Sequence, residues 1–142
     1  MLQKNENNIM ASEEIVKRMV KEIEIPVCLN LGLAYLKVKD FSLSVKYCTQ
    51  ALEKDPENDK ALYRRGMAYL GSGFIEKAKA DLTKAYEVTN GKDQNVIKAL
   101  HELKEKVAKN KVQEKELVKK MLLSGGLYKD QAQPAPSNDE SD

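Results

Sequence analysis

Hydrophobic positions along this chain recur with helical spacing and are interrupted by short polar breaks. Ile15, Met19, Val20 and Ile23 follow the i, i+4, i+5, i+8 pattern of one helix face. Ser12 stands where a side chain would cap that helix, with Glu13 and Glu14 in its favourable first turn. Pro26 lacks a backbone donor and clashes with the preceding turn, so a kink or restart is expected there. The stripe resumes over 27–36, and further amphipathic stretches cover 41–52, 60–70 and 74–88. KDF, DPEND and GSG separate them, short breaks of the kind that join antiparallel helices. A last, long stretch runs over 94–123, with Ile97, Leu100, Leu103 and Val107 on its apolar face. No stretch alternates with period two. The fold class is therefore all-α.

The two ends read differently. Residues 1–11, MLQKNENNIMA, are polar and aperiodic, and lack the basic and apolar regions of a secretory leader, so a flexible segment is expected. The abrupt start suggests a piece of a longer protein. Gly125 and Gly126 precede QAQPAPSNDESD, which has no apolar anchors, so residues 124–142 are expected to form a disordered tail.

Shifting the chain by 34 residues lays LNLGLAYL (29–36) on YRRGMAYL (63–70). Gly32 falls on Gly66, Ala34 on Ala68, Tyr35 on Tyr69, Leu36 on Leu70 and Ala51 on Ala85. Ser44 meets Ala78, small on small, and Cys48 meets Leu82, apolar on apolar. Small residues let paired helices approach closely, and the Tyr and Leu side chains fill the gaps between them. Period and positions resemble the tetratricopeptide repeat, a helix–turn–helix unit. Its markers fall on Leu31, Gly32, Tyr35, Ser44, Cys48, Ala51 and Pro56, then on Leu62, Gly66, Tyr69, Ala78, Leu82 and Ala85. Pro26, Arg65 and Asn90 depart from the pattern.

The resemblance implies helical hairpins winding into a right-handed superhelix. Residues 12–92 would hold two repeats with an N-terminal helical extension, and 93–123 a C-terminal capping helix whose Lys-rich far half projects beyond the body. Two repeats are fewer than usually close a core. The apolar face before Pro26 would then be uncovered, which predicts self-association.

Repeat arrays bind in the groove lined by the first helix of each pair. Leu29, Asn30 and Leu33 from the first repeat, and Lys60, Tyr63, Arg64 and Met67 from the second, would line it. Lys60 and Arg64 are four apart, so two like charges share a face, which an anionic ligand would favour. Tetratricopeptide domains that bind the C-terminal Met-Glu-Glu-Val-Asp tail of heat shock protein 90 use a clamp of Lys, Asn and Arg. Asn30, Lys60 and Arg64 match its second and third repeats. Lys4 and Asn8 have the spacing of the first-repeat pair without its surrounding pattern, so the role is not carried to them.

NDKALYRRGMAYL, the long charged helix and its ending KELVKKMLLSGGLY are similar to the C-terminal repeat domain of FKBP-type large immunophilins. In that family a peptidyl-prolyl isomerase domain precedes the repeats, and nothing of it is present in this sequence. The implied function is a cytoplasmic co-chaperone adaptor for heat shock protein 90 or its 70-kDa-class counterpart, with no enzyme activity and no cofactor in this chain. The alternative is a structural or self-associating scaffold that binds no chaperone tail.

Composition narrows this further. With 24 basic and 22 acidic residues the net charge is +2, which argues against a general nucleic-acid surface. No apolar run is long enough to span a bilayer. Two Cys and one His cannot build a four-ligand zinc site, and Cys28 and Cys48 read as buried free thiols. His101 stands without a catalytic constellation. Arg65 reads as structural, paired to Asp81 or Glu87, and Tyr35 and Tyr69 as packing residues. KVAKNKVQEKELVKKMLL is a basic amphipathic helix of the type that binds calmodulin, but its interleaved Glu residues favour a solvated extension.

Overall fold

A computed structural model describes residues 2–124. The expected tail beyond Ser124 lies outside them. Six α-helices follow in order: α1 (Leu2–Met19), α2 (Ile25–Lys37), α3 (Phe41–Lys54), α4 (Asp59–Ser72), α5 (Ile75–Val88) and α6 (Gln94–Ser124). The chain divides into two compact units, Met1–Leu103 and Lys104–Asp142. The described part of the second is the far stretch of α6.

The first unit is two stacked hairpins, α2 with α3 and α4 with α5, and α3 and α2 also pack on α4. Their turns repeat bond for bond. Asp40 N–H donates to Tyr35 O at 2.9 Å in the first hairpin, and Phe74 N–H donates to Tyr69 O at 2.9 Å in the second. Both turns need one left-handed residue, supplied by Gly73 (φ 87°) in the second and by Lys39 (φ 63°) in the first. Asp40 accepts from Leu43 N–H to start α3, and Asn58 accepts from Ala61 N–H to start α4.

Close helix approach depends on the small residues. A methyl group on Gly32 would lie 2.5 Å from Cys48 Sγ, and one on Gly66 would lie 2.8 Å from Leu82 Cγ. Ser44 is fully buried and donates to Gly32 O at 2.7 Å, tying α3 to α2. The core joins Ile25, Cys28, Leu29, Leu52, Leu62 and Ala85 to Val96 of α6, so α6 closes the second hairpin with its first turns. Asp93 accepts from Asn95 N–H at 2.9 Å and begins that helix.

Several expectations need correction. Residues from Leu2 onward are helical, where a flexible segment was expected over 1–11. Polar helix formers such as Lys, Glu and Gln carry no apolar period yet adopt the helix readily, and no Pro or Gly interrupts them before Pro26. Ser12 is consequently internal: its hydroxyl donates to Ile9 O at 2.7 Å instead of capping. Pro26 causes no break. The turn before it, Val20–Glu24, widens into a π-helix that runs into α2 with helical dihedrals at Ile25. A wide turn moves carbonyls away from the proline ring, so the helix passes through.

Candidate peptide groove

α2 and α4 are the leading helices of the hairpins, and every residue expected at the groove lies on one of them. The shift by 34 residues sets Pro26, Asn30 and Leu33 of α2 against Lys60, Arg64 and Met67 of α4. Asn30 and Lys60 are exposed, while Leu33, Tyr63, Arg64 and Met67 are half-buried. Leu29 departs from expectation. It is 9% exposed and belongs to the core, because its side chain turns inward with Cys28 and Leu52.

The groove residues are joined by an interaction that spacing does not reveal. Arg64 Nη1 donates to Leu29 O at 2.7 Å, bridging α4 to α2 over 35 residues of chain. Its guanidinium is therefore held at the backbone immediately before Asn30. Arg has five donors in a rigid fork, so the others remain for a further acceptor. Lys60 sits in the first turn of α4, just after Asp59 and the Asn58 cap. A cation there opposes the helix dipole and costs a few tenths of a kcal/mol or more, whereas an anion is favoured at that end.

Tyr63 packs against the core together with Val88 and Leu100. Burial raises its phenol above the ordinary range, and Asp93 and Glu102 act in the same direction. It forms part of the groove wall and stays protonated at neutral pH.

The neighbouring charged pair has a different task. Arg65 donates from Nε and Nη2 to the two carboxylate oxygens of Asp81 at 2.7 and 2.8 Å, and from Nη1 to Thr49 at 3.2 Å. Those bonds to Asp81 hold its guanidinium charged, above its ordinary range. Arg65 thus ties α3, α4 and α5 together, and Asp81 is the partner of the two expected. Tyr35 stacks on Tyr47 with ring centroids 5.6 Å apart, and Tyr69 meets Phe74 edge-on at 6.2 Å. Both are half-buried packing residues. Cys28 and Cys48 are free and buried, and burial pushes the Cys48 thiol up to about 11.

Family models described as tetratricopeptide repeat match residues 25–58 and 59–91, which are the two hairpins. Those residues form a tetratricopeptide-repeat domain. It resembles the C-terminal repeat region of FKBP-type immunophilins. Human peptidyl-prolyl cis-trans isomerase FKBP4 is 42% identical over 60 residues, covering 42% of this chain and 13% of that protein. The C-terminal repeat-containing domain of a putative FK506-binding protein from Plasmodium falciparum is 33% identical, with a TM-score of 0.61 over 64% of this chain and 60% of that one. Outer envelope protein 61 of Arabidopsis thaliana is 41% identical over 80 residues, which is 56% of this chain and 14% of its own length. A structure of the UNC-45 chaperone shares the fold at 23% identity and a TM-score of 0.61, over 95% of this chain and 16% of its own. The chain thus spans about one seventh of the curated relatives it matches. Among the described residues no helix is long and apolar enough to cross a membrane.

Proposed function

We propose that the groove of α2 and α4 binds the acidic C-terminal tail of heat shock protein 90, or of its 70-kDa-class counterpart, as a cytoplasmic co-chaperone adaptor. Asn30, Lys60 and Arg64 grip the terminal carboxylate and the last Asp side chain, while Leu33, Tyr63 and Met67 give apolar contact. The observation that carries this reading is the bond from Arg64 to Leu29 O, which fixes a guanidinium beside Asn30 before any ligand arrives. Preorganised donors lose little entropy on binding. Lys60 adds a mobile charge at a helix end that already favours anions. The adaptor acts by binding alone, and isomerase chemistry belongs to the relatives' other domains.

Calorimetric titration with a Met-Glu-Glu-Val-Asp peptide tests this. The free acid should bind and its C-terminal amide should not. Lys60→Glu should weaken binding by at least roughly ten- to a hundredfold, from the 1.5–3 kcal/mol of a charged hydrogen bond. Its thermal unfolding should stay that of the parent, since Lys60 is exposed. Equal binding of acid and amide, or full affinity in Lys60→Glu, would overturn the clamp. No binding of either peptide would favour a scaffold.

A further inference from the structure

The first turns of α6 repeat the register of α4. Leu62 N–H donates to Asn58 O at 3.0 Å to open α4, and Ile97 N–H donates to Asp93 O at 3.1 Å to open α6. Aligned on those two bonds, the fully buried Ala61 and Ala68 of α4 correspond to Val96 and Leu103 of α6, which are buried as well. The groove positions carry over in the same way. Lys60, Tyr63 and Met67 correspond to Asn95, Lys98 and Glu102, all three exposed, while Arg64 has a buried counterpart in Ala99. The first turns of α6 thus stand where a third leading helix would, and they add a wall to the groove.

That wall has a different charge from the rest. Asn30, Lys60 and Arg64 make the end between α2 and α4 cationic. At Tyr63 the field is acidic: burial raises the phenol, and Asp93 and Glu102 both raise it further. Asp93 is engaged with Asn95 N–H at 2.9 Å. Among the described residues the Glu102 carboxylate is in no ion pair.

We infer that Glu102 is a specificity-determining residue of the groove, which opposes an acid upstream of the clamped terminus and favours an uncharged or basic residue there. The inference rests on the peptide reading above and adds a repulsive element to it. Packed helices lie about 8–10 Å apart, and an extended peptide rises about 3.3 Å per residue. A chain held between α2 and α4 that continues past Tyr63 therefore reaches α6 about three residues upstream of its end. In Met-Glu-Glu-Val-Asp that reach falls on the two Glu residues. One charge at an exposed site changes affinity by up to about fivefold, and by less at high salt.

Calorimetric titration of the full chain with three free-acid peptides tests this: Met-Glu-Glu-Val-Asp, Met-Gln-Gln-Val-Asp and Met-Lys-Lys-Val-Asp. Affinity should rise in that order, and the spread should narrow at high salt. Glu102→Gln should tighten the Glu peptide by about two- to fivefold and reduce the spread. Glu76→Gln makes the same charge change at an exposed position of α5 and should leave the spread unaltered. An equal spread in Glu102→Gln and the parent, or a parent that prefers the Glu peptide to the Gln peptide, would overturn the inference while the clamp stands. Peptides that bind equally well as C-terminal amides, or no binding of any of the three, would remove the clamp and the role of Glu102 together.

Discussion

Gly32→Ala in α2 is the most discriminating substitution for the packing of the first hairpin. The new methyl carbon would lie 2.5 Å from Cys48 Sγ, while its next nearest neighbours, Cys48 N and Ser44 O, stand at an ordinary 3.7 Å. One sulfur atom therefore opposes the change. Cys48 is fully buried and Ser44 ties the two helices together, so neither the thiol nor the backbone retreats freely. Overpacking of this kind costs about 1–3 kcal/mol, and replacing a helical Gly by Ala returns about 1 kcal/mol. Gly32→Ala should thus destabilise by up to about 2 kcal/mol.

Cys48→Ala alone removes one buried sulfur and should cost about 1 kcal/mol. In the double variant the new methyl occupies the space the sulfur left and the helix keeps its propensity gain. Stability should then return to near that of the parent, a coupling of about 1–3 kcal/mol of the size seen for residues in contact. Urea unfolding followed by circular dichroism reads all four proteins. Additivity of the two single changes within about 0.5 kcal/mol would refute the reasoning. It would mean that α2 and α3 move apart at little cost and that the small residues of the repeat do not set their distance.

Two further predictions concern the same unit. Lys39→Gly should stabilise by about 0.5–1 kcal/mol, because a left-handed Lys is strained at the turn where the second hairpin has Gly73, and the same urea titration measures it. The Cys48 thiol, raised by burial from 9.0 to about 11, favours the folded state fully below pH 9 and loses that preference as pH rises towards 11. Over that window the parent should lose up to about 3 kcal/mol more than Cys48→Ala in parallel titrations, at about 1.4 kcal/mol per pH unit.

The hairpins were legible because one residue set determines both their period and their packing. Gly32 on Gly66 and Cys48 on Leu82 are visible as a repeat, and the same four residues meet across the hairpins, Gly32 with Cys48 between α2 and α3 and Gly66 with Leu82 between α4 and α5. The helical limits of α2 to α6 lie within two residues of those that spacing indicated, since breaks such as DPEND and GSG have local turn chemistry. What spacing missed was non-local or compensated. The polar start of α1 has no apolar period to read, and Pro26 signals a break that the π-helical turn absorbs. Leu29 looks like a groove residue by its repeat position, yet its counterpart Tyr63 is half-buried while Leu29 is in the core. A larger ring cannot enter the space an aliphatic side chain fills.

The bond from Arg64 to Leu29 O bears on why the two basic positions of α4 carry different residues. A Lys at 64 could satisfy one carbonyl or one ligand, because its ammonium is a compact point charge. An Arg can do both, spending one donor on α2 and keeping the remainder of its fork for a carboxylate. At position 60 the requirement is reversed. The side chain is exposed in the first turn of α4 and has to follow an acid whose position varies with the peptide. On the proposed reading Arg64 therefore fixes the site and Lys60 adapts to it. Exchanging them is not conservative: Arg64→Lys should lose affinity for the free-acid peptide, while Lys60→Arg should retain most of it.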